Sequence, residues 1–110
     1  MKLKITIEKG TSTNDFYKLH YFSRTKLKEK IISNITFIKK EKILGPYEVI
    51  FSYNTRVDVD NQSALIKVVI DHIRREGLLD EDYNSVFKKL TINFDDKLPR
   101  GEAIMILKKI

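Results

Sequence analysis

A chain of 110 residues and 12.9 kDa, 42% hydrophobic and without cysteine, has the size of one small domain. That excludes a multidomain enzyme, a disulfide framework, cysteine-ligated zinc and thiolate catalysis. Its 33% charged residues are of both signs and apolar residues recur throughout, so the chain should fold, while 21 Lys and Arg against 15 Asp and Glu leave +6 and point towards a polyanionic partner.

Lys2 to Glu8 alternates Leu3, Ile5 and Ile7 with polar residues, the period of a strand buried on one face. This opening is no signal-peptide core, and no apolar run approaches the roughly 20 residues that span a bilayer, so the expected compartment is the cytoplasm. Gly10 to Asp15 is turn and cap chemistry. Phe16, Leu19, Phe22, Leu27 and Ile31 then recur at helical spacing and predict one long basic helix to about Lys39, with a break near Asn34 as an option. Phe16, Tyr17, Tyr21 and Phe22 on it are expected in the core first, and as a wedge between DNA bases second.

Gly45-Pro46 punctuates the chain, and Tyr47 to Tyr53, rich in β-branched and aromatic residues, reads as a central strand. Leu65, Val68, Val69 and Ile73 mark a second helix from Asn61 to Glu76, ended by Gly77. After the acidic link Asp80 to Asp82 come strands at Val86 to Phe94 and Glu102 to Ile110. The expected fold is a single α/β (α+β) domain over residues 1–110, in the order β-α-β-α-β-β, with two helices on a small mixed sheet.

The charge is uneven. Residues 1–45 carry eleven Lys or Arg against four acids, a net of +7, and the remainder nets −1. Just after the central strand stands Arg56-Val57-Asp58-Val59-Asp60-Asn61. In extended backbone, residues two apart project to one side, so Asp58 and Asp60 would converge. Convergent carboxylates repel unless a cation lies between them, and Mg²⁺ or Mn²⁺ suits such a donor set. The other reading of the same residues makes Asp60 the N-cap of the following helix and leaves Asp58 solvated. An EF-hand loop fails, because Ser63 and Val69 stand where it needs Gly at position six and Glu at position twelve. The phosphate-loop, dinucleotide, nucleophile-elbow and zinc-protease motifs are all absent, so no nucleotide cofactor is expected. His20 and His72 read as helical surface or boundary residues.

Several segments together resemble a known family. These are the Ser12-Thr13-Asn14-Asp15-Phe16-Tyr17-Lys18 turn running into a basic aromatic helix, the Asp-x-Asp-Asn motif at Asp58, Asp60 and Asn61, the helix segment Lys67 to Asp71, and Gly77 followed by the acidic Asp80-Glu81-Asp82. Over nearly its whole length the chain resembles the RusA-type Holliday-junction resolvases, small bacterial and prophage endonucleases. The resemblance implies Mg²⁺ held by Asp58, Asp60 and Asp82, with Asp80 competing as third ligand, and Lys67 assisting at the scissile phosphate. It also implies a homodimer, which a two-fold symmetric four-way junction would suit.

The family lysine usually falls at the position of Ala64, three residues before Lys67. On a helix those positions point about 60° apart and lie about 4.5 Å apart axially, within reach of a four-carbon side chain. Candidate DNA contacts are Asn14, Arg24, Lys28, Arg56 and Asn61, the cations among them suited to phosphate. The expected function is Mg²⁺-dependent resolution of branched DNA in recombination and repair. The alternatives are a catalytically impaired DNA-binding or regulatory module and a purely structural interaction protein.

Overall fold

In the computed structural model, which describes residues 1–80 and 86–110, a mixed sheet carries helices on one face, a small single-domain α+β architecture. The described elements are strand β1 (Lys2–Thr6), helices α1 (Thr13–Lys18) and α2 (Tyr21–Ser33), strands β2 (Ile35–Lys39) and β3 (Tyr47–Asn54), helix α3 (Ser63–Arg75), and strands β4 (Phe87–Phe94) and β5 (Glu102–Lys109). A short 3₁₀ turn, Val59–Asn61, precedes α3.

The sheet runs β2-β1-β5-β3-β4, with β3 and β4 parallel and the other neighbours antiparallel. β3 is thus interior, as its apolar composition requires, but β5 is the middle strand. A parallel β3–β4 pair needs a crossover, and α3 supplies it. The crossover carries the chain from the Asn54 end of β3 back to the Tyr47 end, where the Tyr47 amide donates to the Val86 carbonyl at 2.8 Å.

The single long basic helix expected through Lys39 is instead two helices and a strand. Leu19 and His20 both adopt extended backbone (ψ 145° and 153°), which ends α1 and restarts the helix as α2. Asn34 then closes α2, and Ile35-Thr36-Phe37-Ile38, a β-branched and aromatic run, pairs antiparallel with β1 as an edge strand. Its period-two character is hidden in sequence because Ile32 and Ile35 also continue the helical spacing.

The core lies between α3 and one sheet face. Leu3, Ile5, Val49, Phe51, Tyr53, Met105 and Leu107 face Leu65, Val69, Ile70 and Ile73, all buried. Burial of each such aliphatic side chain contributes roughly 1.5–3 kcal/mol before entropy is counted. α3 ends as the sequence predicts. Gly77 takes φ +77°, its amide donates to the Arg74 carbonyl (2.9 Å), and the Leu78 amide donates to that of Ile73 (3.2 Å), a Schellman closure.

By contrast α2 fully buries only Ile31. Of the four aromatics expected inside, Phe16 alone is buried, whereas Tyr17, Tyr21 and Phe22 are 55%, 71% and 70% exposed. They lie beside the α1–α2 break, which turns them away from the sheet, and His20 stacks on Phe22 with ring centroids 6.0 Å apart. No helix among the described residues is long and apolar enough to cross a membrane.

Candidate functional site

β3 ends at Asn54, and although Asp58 still has extended backbone (φ −66°, ψ 156°), Asp60 lies in a 3₁₀ turn, so the strand-alternation argument for their convergence does not apply. Asp58 instead precedes the 3₁₀ turn and its carbonyl accepts the Asn61 amide at 3.0 Å, while Asp60 sits within the turn. Both carboxylates are exposed and Asn61 is half-buried. Nor does Asp60 cap α3, because the residue at that position is Gln62.

What joins the two aspartates is Tyr53. Burial raises its phenol above the ordinary tyrosine value, and the negative charges of Asp58 and then Asp60 raise it further, while a hydrogen bond from Gln62 acts in the opposite direction. Gln62 is itself buried and donates to the Val57 carbonyl at 3.3 Å, which pins the turn to the end of β3. Both aspartates thus lie within electrostatic reach of the Tyr53 phenol.

α1 is fastened to the same place. Ser12 caps α1 by accepting the Asp15 amide at 3.2 Å. The Thr13 hydroxyl accepts the Ala64 amide at 3.2 Å and lies 3.0 Å from the Ser63 hydroxyl, so it satisfies a free donor in the first turn of α3. Asn14, exposed on α1, is thereby held near the start of α3.

Cations precede and follow the turn in the chain. A cleft of about 90 Å³ between α1, α2 and α3 is lined by Tyr17, Arg24, Lys28, Ala64, Lys67 and Asp71. Ala64 and Lys67 thus open on one cleft, which fits Lys67 standing in for a lysine at position 64. Lys67 Nζ is 3.6 Å from Asp71, whose carboxylate is also 3.5 Å from Arg74. Arg24 has a structural task as well: it donates to the Tyr17 and Leu19 carbonyls at 3.2 and 3.3 Å, closing the end of α1, and its guanidinium lies 5.5 Å from the Tyr17 ring centroid.

Before the turn, Arg56 shares a hollow of about 370 Å³ with Arg100 and Phe94. Sequence reasoning missed Arg100 because 44 residues separate it from Arg56. The link is sheet register: Asn54 pairs with Glu102, and the Gly101 amide donates to the Asn54 carbonyl at 2.8 Å.

Asp80 is elsewhere. Its carboxylate accepts the Gly45 amide at 2.6 Å, just before β3 begins, whereas Asp58 follows the strand's far end. Asp82, the third expected ligand, and Glu81 lie outside the described residues. Among the described residues no three acidic or histidine side chains group to hold a metal. Asp58 and Asp60 are two exposed carboxylates, and Mg²⁺ uses one or two such groups and takes its other ligands from water and phosphate. His20 is the exposed N-cap of α2, and His72 is half-buried on α3, 3.7 Å from Glu76, a surface and a boundary position as expected. Compared with protein-family models, with curated proteins and with solved structures, the chain finds no match.

Proposed function

We propose that this protein is a Mg²⁺-dependent, structure-specific endodeoxyribonuclease of the RusA type that binds four-way and related branched DNA as a homodimer, in the cytoplasm of a bacterial or phage-infected cell. The observation that carries this reading is the exposed Asp58–Asp60 turn, which follows Arg56 of one basic hollow in the chain and precedes Ala64 and Lys67 of another. Carboxylates alone would repel a phosphodiester, and cations alone would only hold one. An acidic turn with basic hollows before and after it in the chain admits the DNA backbone to a site that can also retain a divalent cation.

On this reading Asp58 and Asp60 hold the cation, with Asp82 as the proposed third ligand. Bound Mg²⁺ supplies a Lewis acid and a water of lowered pKa for phosphodiester hydrolysis. Lys67 and Lys28 neutralise phosphate charge from the α-helical side, and Arg56 with Arg100 holds the backbone from the β5 side. Asn61, in the turn, and Asn14, on α1, would hydrogen-bond the strand.

A second reading, a DNA-binding module without turnover, is favoured by one observation: no third carboxylate joins Asp58 and Asp60 among the described residues. Incubation of an end-labelled four-way junction with the protein and Mg²⁺ separates the two. Paired nicks near the branch point are expected. An intact junction under saturating protein would assign the chain to the second reading.

A further inference from the structure

A large groove lies at the opposite end of the sheet from the aspartate turn. It encloses about 730 Å³ and is lined by Lys2, Lys39, Lys42, Lys108 and Lys109 together with Glu41. The register shows how they meet: Lys2 pairs with Lys39 across β1 and β2 and with Ile106 of β5, so the ends of three strands fan their lysines into one concavity. Its single acid, Glu41, is ion-paired with the Met1 amine, and that amine also donates to the Leu107 carbonyl at 3.0 Å. The pairing offsets that carboxylate, so the residues lining the groove carry a net positive charge.

Like charges held together in a folded surface repel, and nothing in the core requires them there, since Lys39, Lys42 and Lys109 are exposed. We propose that this groove is a second nucleic-acid contact surface, taking the phosphodiester backbone of a DNA arm away from the aspartate turn. The inference rests on the DNA-binding reading above and adds a site to it. The lysines lining the groove complement a phosphate backbone by charge. The eight residues of β3 separate groove and turn by about 23 Å at 3.3 Å per residue, roughly seven base pairs of duplex rise. One protomer therefore touches an arm at two places.

The test is the salt dependence of binding, by fluorescence anisotropy of a labelled four-way junction between about 50 and 200 mM KCl. Three proteins are compared: wild type, Lys39→Gln/Lys42→Gln/Lys109→Gln, and the same three positions changed to Arg. Each phosphate contact adds about 0.9 to the slope of log affinity against log salt, so the Gln variant should lose about two to three from the slope and bind at least tenfold more weakly at low salt. The Arg variant should keep both. An unchanged slope in the Gln variant overturns the inference and leaves the nuclease reading intact. No retention of any DNA by the wild type at low salt overturns both. In that case, binding to vesicles of anionic phospholipid that is lost in the Gln variant would assign the groove to a membrane instead.

Discussion

The Thr13 hydroxyl lies 3.0 Å from that of Ser63, 50 residues along the chain, and accepts the Ala64 amide. This contact couples the start of α1 to the start of α3 where the Asp58–Asn61 turn ends. Thr13→Val keeps the shape and removes the acceptor, leaving the Ala64 amide without it. The expected cost is about 1 kcal/mol, read as a shift in the urea midpoint. An unchanged midpoint would show that the contact holds nothing in place.

The exposed aromatics and the buried aliphatics of the helices should respond oppositely to truncation. Ile73→Ala, at a fully buried site on α3, should cost about 2–5 kcal/mol of unfolding free energy. Phe22→Ala, at a site 70% exposed, should cost no more than about 0.5 kcal/mol. A large loss for Phe22→Ala would mean that this ring is covered in solution.

That contrast also shows what the sequence could reveal. The period of Leu3 and Ile5, the apolar stripe of α3 and the glycine at position 77 were readable because each is a local pattern with one structural solution. The edge strand at Ile35–Lys39 was not, because Ile31, Ile32 and Ile35 satisfy helical spacing as well as Ile35 and Phe37 satisfy alternation. The α1–α2 break at Leu19 and His20 has no Gly or Pro to announce it, and it decides which way Tyr17, Tyr21 and Phe22 point. At the candidate site, Asp58 and Asp60 were legible as a local motif. Arg100 was not, since only the pairing of Asn54 with Glu102 brings it to Arg56.

Tyr53 provides a pH test of the aspartate turn. Its phenol is raised by burial first and then by Asp58 and Asp60. The folded protein therefore keeps this proton above pH about 10, where the unfolded chain has lost it. Stability is unaffected below that pH and falls as pH rises beyond it. Tyr53→Phe should reduce this alkaline loss, measured by urea unfolding on either side of pH about 10. In a spectrophotometric titration, Asp58→Asn should bring the Tyr53 phenolate in at lower pH than wild type, though still above the ordinary value because burial remains. An identical titration curve would separate Asp58 from Tyr53.

The two cationic hollows should differ in what they control. Lys67→Ala should lower single-turnover cleavage of a junction by about tenfold or more with little change in affinity, as befits a charge acting on the reacting phosphate. Arg100→Gln should weaken binding to all branched DNA and reduce the salt slope by about one, with cleavage of the bound complex retained. The reverse pattern would exchange their assigned roles.

Cleavage of DNA by the proposed Asp58–Asp60 site with a divalent cation is read from the single-turnover rate of four-way-junction cleavage in Mg²⁺ by wild type and Asp60→Asn, alongside junction affinity in the absence of metal. A loss of at least about 100-fold in rate is expected with affinity held or slightly increased, since the substitution removes a negative charge beside the DNA. Equal rates in the two proteins would contradict it.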